Sequence, residues 1–400
     1  MSADRERPAI EGGTPVRSSL LPLARPSFGE AEERGVLEVL RSGWVSTGPA
    51  TERFERAFAE WLGAPHAVGV ASCTSGLHLL LRAAGVGPGD EVVTSPMTFP
   101  ATVNAILHAG ARPVLADVLP ARLTLDPSAV RAALTARTRA VLVVHYAGWP
   151  ADMDALGEVT AGPGLVVIED AAHALGATYR GRAAGTVGDG AAFSFYATKN
   201  LATGEGGMVT THDAAWAERI RCERLHGLDL DASRRHGTEY RHWEAVRLGF
   251  KYNLNDIAAA LGLAQLAKID DLLAERRRLD TRYRELLSEL NAVEMITGPP
   301  EAESAAHLFP ILLRRHRLRV DRDRVLTALL AEKVAVGVHF RAIPEHRFFR
   351  DEVGLDGRGV PVAMDASAQT LSVPLYPGMS DRDQDDVAAA LARIVRYYAA

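Results

Sequence analysis

Lys199 raises the question of chemistry first. It ends the run Phe193-Ser194-Phe195-Tyr196-Ala197-Thr198-Lys199 and is soon followed by Gly204-Glu205-Gly206-Gly207. Lysines are seldom buried. Burial disfavours the charged form and leaves a nucleophilic amine able to form a Schiff base with a carbonyl, whereas a solvated lysine at a strand end has no such chemistry. Asp170 closes a second apolar run, Gly164 to Asp170. A carboxylate there is either a turn former or the partner of a pyridine nitrogen, which it keeps protonated so that the ring draws electrons. A third segment, Ser72-Cys73-Thr74-Ser75-Gly76, sits between a strand-like run and a helix-like one. The exposed N–H groups and dipole of a helix start attract anions, and Thr74 and Ser75 add hydroxyl donors. The alternative for that turn is a plain N-cap. Ser194, five residues before Lys199, is placed to reach a phosphate.

These residues need elements to hold them at strand ends. From residue 66 the chain alternates apolar runs at 66–72, 91–96, 112–118, 140–148 and 164–170 with segments whose apolar residues recur every three or four positions. Pro100 suits a first helical turn, Asp126 an N-cap and Gly85 the position just past a helix end. Strands alternating with helices predict a largely parallel sheet covered on both faces, with ligands at the carboxyl ends of the strands. Runs at 191–196 and 206–211 are close enough in sequence to be neighbours. A helix is expected from Asp213 to about His226, and the aperiodic stretch 228–250 reads as a long loop, of a length that tends to be functional or disordered. The proline-free stretch from Asn255 to Leu290 predicts one long helix. Beyond it, strands are expected at 307–313 and 334–340 in a separate α+β segment.

Bulk properties exclude several classes. The 400 residues are 47% hydrophobic and 24% charged, with a formal net charge of -5 and a pI near 6.2. No global basic field invites nucleic acid. No stretch has the roughly 20 apolar residues of a membrane span, and the polar N-terminus does not read as a signal peptide. Cys73 and Cys222, the two cysteines, give no disulfide framework and suit a reducing cytoplasm. The thirteen histidines form no HExxH or Cys/His pattern, so no metal centre is expected. The glycines at 204–207 lack the spacing of a dinucleotide fingerprint.

The combination of the 72–76 turn, Glu169-Asp170-Ala171-Ala172-His173, and Ser194 to Asn200 followed by Gly-Glu-Gly-Gly resembles the DegT/StrS family of nucleotide-sugar aminotransferases, which depend on pyridoxal phosphate (PLP). The similarity runs from Gly43-Trp44 to the segment Ser372–Pro377. It is nearest to the branch that aminates a 4-keto sugar and makes 4-amino-4-deoxy-arabinose. The segments that carry it are GWVSTGP (43–49), VVHYAGWPADMDAL (143–156), EDAAHA (169–174), KYNLNDI (251–257) and HFRA (339–342). The resemblance implies an α/β fold of the type I PLP-dependent transferase class, similar to aspartate aminotransferase, with a mostly parallel large-domain sheet. The expected division is an N-terminal arm and site-covering segment (1–50), a large PLP-binding domain (51–270) and a small C-terminal domain (271–400). A homodimer with shared active sites is also implied.

Carried over by position, Lys199 resembles the Schiff-base lysine, Asp170 the partner of the pyridine nitrogen, and Phe99 the aromatic stacked on the ring. His173 holds the position near the ring hydroxyl. Thr74, Ser75 and Ser194 resemble the phosphate cup, completed by Asn253 from a second subunit. Trp44, Tyr196, Arg241, His339 and Arg341 are the expected contacts to the nucleotide-linked sugar. The implied reaction transfers an amino group, with L-glutamate as donor, to C4 of a nucleotide-linked keto-deoxy sugar. Amination of a 3-keto sugar or an inosose is the alternative within enzymes, and a non-catalytic PLP-binding regulator the alternative outside them. Tyr196 stands where the branch has His, and Trp149 is bulkier than the usual residue.

Overall fold

Seven short apolar runs gather into one sheet in the computed structural model, which describes residues 7–162, 164–229 and 242–400. The strands are β1 (His66–Val70), β2 (Glu91–Thr94), β3 (Arg112–Leu115), β4 (Thr138–Val144) and β5 (Val166–Asp170). A two-residue-strand hairpin of β6 (Thr178–Tyr179) and β7 (Arg182–Ala183) follows, then β8 (Gly190–Ser194) and β9 (Gly207–Thr211). The main sheet runs β1-β9-β8-β5-β4-β2-β3. Strands β3, β2, β4, β5 and β8 pair in parallel, and β9 is antiparallel to both β8 and β1. The expected neighbours at 191–196 and 206–211 are thus hydrogen-bonded partners.

Period-two geometry decides what each strand end presents. Successive residues face opposite sides of a strand. In β8 and just past it, Phe193 and Phe195 drop into a core with Phe54 and Phe58 of the helix Pro49–Leu62, with ring centroids 5.3 Å (Phe58–Phe193) and 5.4 Å (Phe54–Phe195) apart. Ala192 packs under the helix Cys73–Ala83, and Ser194 is left to face the space beyond that helix start. In β5, Ile168 packs in the same layer as Ala192, which sends Asp170 to that side. Glu169, on the other face, meets His145.

The stretch 255–290 is two helices rather than the expected one. Asp256–Leu266 ends at Ala267, and Ile269–Leu287 begins after Lys268, whose φ of -121° and ψ of 15° interrupt the helical path. The break has a tertiary cause. Lys268 Nζ reaches Glu32 at 2.7 Å and donates to Ser27 O at 3.0 Å, an attachment to the N-terminal segment that no local periodicity reveals.

Residues 291–400 supply a second antiparallel sheet, β10 (Val293–Met295), β12 (Phe309–Leu313) and β13 (Thr370–Val373), while β11 (Ala302–Glu303) pairs with β6. The expected strand at 334–340 is reduced to bridges at Val334 with Leu21 and at Gly337 with Ser372. Its last residues leave the ladder to line the cavity described below. The N-terminal arm is tied to this part of the chain: Glu332, fully buried, accepts the N–H groups of Ala9 (2.8 Å) and Val16 (2.9 Å). No helix among the described residues is long and apolar enough to cross a membrane.

Candidate active site

A cavity of about 580 Å³ opens at the carboxyl ends of β4, β5 and β8. Three segments at or just past strand ends, two of them running into helix starts, build its floor: Ser72–Thr74, Thr98–Thr102 and Asp170–His173. Segments 307–308 and 338–340 close it from the C-terminal part. Of the residues singled out in the sequence, Lys199, Asp170, His173, Thr74, Ser194, Phe99, Tyr196 and His339 all line it.

Lys199 does not close a strand, as its apolar run suggested. Strand β8 stops at Ser194, and the chain turns so that Lys199 N–H donates to Tyr196 O at 2.8 Å. Phe195 N–H then meets Gly206 O, and Thr203 N–H meets Phe195 O, both at 2.9 Å. The glycines have a steric reason to be there: a Cβ on Gly207 would stand 2.7 Å from Ser72 C and 2.8 Å from Cys73 N, so β9 approaches the helix start backbone to backbone. Burial lowers the Lys199 amine from 10.5 to about 8, against the opposing influence of Cys73 and Asp170.

The Asp170 carboxylate is buried and surrounded by donors. Thr102 Oγ1 donates to Oδ2 at 2.7 Å and Ala172 N–H to Oδ1 at 3.2 Å, with Cys73 Sγ 3.8 Å from Oδ1. On the opposite face of β5, Glu169 accepts from Gly185, Val187 and Gly188 N–H and sits 2.7 Å from His145 Nε2. Burial alone would raise this carboxyl, yet His145 and the amides hold it below its ordinary value. Ala151 N–H donates to His145 Nδ1, so the imidazole hydrogen is on Nε2 and points to Glu169.

Imidazoles form the opposite wall. His173 stacks on Phe340 at 5.7 Å and 21°, and its ring centroid is 4.5 Å from that of His307. His307 Nδ1 lies 3.0 Å from Asn200 Oδ1, while Asn200 Nδ2 donates to Ala305 O at 2.8 Å. Those bonds fix Oδ1 as the acceptor and Nδ1–H of His307 as the donor. Burial, with nearby Lys199, holds His173 and His307 well below the ordinary imidazole range and brings His339 down to about 4. The wall is therefore neutral at physiological pH.

Other expected site residues lie elsewhere. Ser75 is buried in a capping box: its hydroxyl donates to Ser72 O at 2.7 Å and its N–H to Ser72 Oγ at 3.1 Å. A serine at the third position of a helix turns back to cap it, so its side chain is not in the cavity wall. Asn253 lines a separate cleft with Val45, Ser46 and Glu205, its Nδ2 donating to Thr47 Oγ1 at 2.6 Å. Trp44 Nε1 is bound to Thr47 O at 3.0 Å, and Arg341 is exposed and turned onto Glu345; neither is in the cavity wall. Arg241 lies outside the described residues. Two of the segments that carried the resemblance, 43–49 and 251–257, pack on each other. Asp256 accepts the N–H groups of Gly48, Ala50 and Thr51, and Thr47 Oγ1 donates to Leu254 O.

Residues 26–392 match the DegT/DnrJ/EryC1/StrS aminotransferase family. The chain belongs to this family. It is 44% identical to the spore coat polysaccharide biosynthesis protein SpsC of Bacillus subtilis over 382 residues, covering 95% of this chain and 98% of SpsC. Among solved structures it is similar to the putative sugar aminotransferase Spr1654 from Streptococcus pneumoniae in its PMP-form, with a TM-score of 0.89, 30% identity, and coverage of 94% of this chain and 99% of that one. It is also similar to DesI, solved in the presence of its TDP-sugar product, with a TM-score of 0.85, 33% identity, and coverage of 96% and 95% respectively. The protein is accordingly a type I PLP-dependent sugar aminotransferase of amino-sugar biosynthesis, and PLP is its cofactor. The cavity fits that group: His173 Nδ1 is buried with no hydrogen-bond partner, and the Gly207 approach keeps side chains off the helix start.

Several residues that line the cavity were given no role of their own in the sequence: Thr98, Thr102, Cys73, His145, His307 and Phe340. Thr98 and Thr102 carried a signal, two hydroxyls four residues apart astride Phe99 at a helix start. His307 carried none, since it arrives from a distant segment.

Proposed function

We propose that this aminotransferase moves an amino group from L-glutamate to C4 of a nucleotide-linked keto-deoxy sugar, and that two copies of the chain share their active sites. The observation that carries the reading is the convergence of Lys199, Asp170, Thr74, Ser194 and Phe99 on one cavity whose rim holds Tyr196 and His339. In this reading Thr74 and Ser194 bind the phosphate, Phe99 covers the ring, His173 stands by its hydroxyl, and Asp170 pairs with its nitrogen. When bound, the pyridine ring withdraws electrons from the carbon that gains or loses the amine. Lys199 holds the cofactor and, once released, carries a proton at Nζ. An amine lowered to about 8 exchanges that proton readily at working pH. The imidazole wall of His173, His307 and His339 excludes charge and offers hydrogen bonds to sugar hydroxyls.

Asn253 supports the shared site, because within one chain it is held by Thr47 in a cleft apart from Lys199. The TDP-sugar product of DesI supports a nucleotide-linked substrate. The segments 143–156, 251–257 and 339–342 support C4, and the two free thiols a cytoplasmic site of action. The test is incubation with glutamate, PLP and, separately, 4-keto and 3-keto nucleotide sugars, followed by NMR assignment of the new amine. An amine at C4 is expected. One found only at C3 overturns the regiochemistry, and no amine from any nucleotide sugar overturns the substrate class.

A further inference from the structure

The carboxylate assigned to the pyridine nitrogen is not free to turn. Oδ2 of Asp170 accepts the hydroxyl of Thr102 at 2.7 Å, and Thr102 Oγ1 lies 2.6 Å from Thr98 Oγ1. A threonine hydroxyl owns one hydrogen. Thr102 gives its hydrogen to the carboxylate, so the hydrogen between the two threonines belongs to Thr98. The result is a one-way chain, Thr98 to Thr102 to Asp170, in which each bond polarises the next. Both threonines are 1% exposed, so water does not compete for either bond.

The backbone gives this chain a second purpose. Phe99 is the N-cap of the helix Pro100–His108, and Thr102 N–H donates to Phe99 O at 3.2 Å. One helix start therefore carries the aromatic proposed to cover the ring and the hydroxyl that holds the carboxylate. Ala172 N–H restrains the other oxygen at 3.2 Å. A carboxylate bound at both oxygens keeps its plane, and the two threonines set that plane relative to Phe99.

We propose that Thr102, backed by Thr98, is a positioning residue that fixes the orientation of the Asp170 carboxylate for the ring nitrogen of the cofactor. This rests on the reading of Asp170 given above. Thr102→Val removes the hydroxyl and keeps the branched shape. The readouts are the pH midpoint of the bound cofactor's visible absorbance, the split of kcat from KM, and the circular dichroism of the protein. A loosened carboxylate leaves the ring less cationic, which lets the linkage to Lys199 hold its proton to higher pH. Thr102→Val should move the midpoint up by about one unit and lower kcat about tenfold while KM stays within about twofold, with Thr102→Ser restoring both. Thr98→Val should shift the midpoint the same way by less. An unmoved midpoint in a folded Thr102→Val protein overturns the proposal, and should that variant fail to fold, an unmoved midpoint in Thr98→Val does so. Asp170→Asn, measured alongside, separates the two layers. If it moves the midpoint and the threonine variants do not, only the positioning role falls. If it too leaves the midpoint in place, the reading of Asp170 falls.

Discussion

Replacing Lys199 by Met in the cofactor-free protein should stabilise the fold at neutral pH, and the gain should fade as the pH rises. Burial lowers the amine from 10.5 to about 8. Each unit of difference between the unfolded and folded values corresponds to about 1.4 kcal/mol, so the charged lysine costs the native state about 3–4 kcal/mol at most. Lys199 is half-buried, and the cavity's access to solvent trims this toward about 1–2 kcal/mol. Below about 8 the lysine is protonated in both states, and the native state bears the whole cost. Between about 8 and 10.5 the unfolded chain binds the extra proton, so wild-type stability climbs with pH. Met has similar bulk and no charge, so its advantage is full near neutrality and shrinks across that window.

The assay is urea unfolding of both apo proteins at matched concentration, near pH 7 and near pH 9.5, with the free energies extrapolated to water. The expected result is a gap of about 1–2 kcal/mol at the lower pH that falls by more than about half at the higher one. A gap independent of pH, or a Met variant less stable than wild type near neutrality, would refute the claim that burial depresses this amine. The functional consequence would go with it, because the same desolvation makes the amine nucleophilic.

Two further outcomes are expected. Borohydride reduction of the holoenzyme should fix the cofactor to the peptide containing Lys199 by mass spectrometry, and Lys199→Ala should retain cofactor while losing turnover; label on another lysine, or none, refutes that assignment. Mixing inactive Lys199→Ala with an impaired Asn253→Ala variant should restore about a quarter of the sites in randomly exchanged dimers, since one hybrid site carries both lesions and the other neither. No recovery despite confirmed subunit exchange would favour a site built within one chain.

The seven runs of the main sheet were legible because strand burial leaves a compact apolar signature, and Asp170 could be placed because it ends such a run, Ser194 because it precedes Lys199 by five residues. Lys199 was legible as chemistry but not as geometry: its run of small and aromatic residues reads as strand, whereas the return of Gly206 to Phe195 ends the ladder at Ser194. The helix break at Lys268 goes with its contacts to Glu32 and Ser27 of the N-terminal arm, and the strand expected at 334–340 survives only as bridges to Leu21 and Ser372 because its last residues turn into the cavity. Interactions spanning hundreds of residues leave no local periodicity. The same holds for His307, which reaches His173 and Asn200 only once the C-terminal part folds over the sheet.

The cavity also accounts for where the expected cations are not. Among the described residues of its wall, Lys199 is the one amine or guanidinium, and the imidazoles of His173, His307 and His339 are held neutral. On the proposed reading, a cofactor phosphate at Thr74 and Ser194 would be met by hydroxyls and a helix start, which bind anions without mobile positive charge. The diphosphate of a nucleotide sugar is a different case, because it needs cations that this wall lacks and that Arg341, engaged with Glu345, does not bring to it. If the substrate is nucleotide-linked as proposed, its anchor would come from beyond the wall, from other segments or from a second copy of the chain. The part of the substrate that reacts and the part that is anchored are then held by different structures. On the proposed reading, C4 or C3 is selected by how far that anchor lies from Lys199, with Tyr196 and His339 tilting the ring between them.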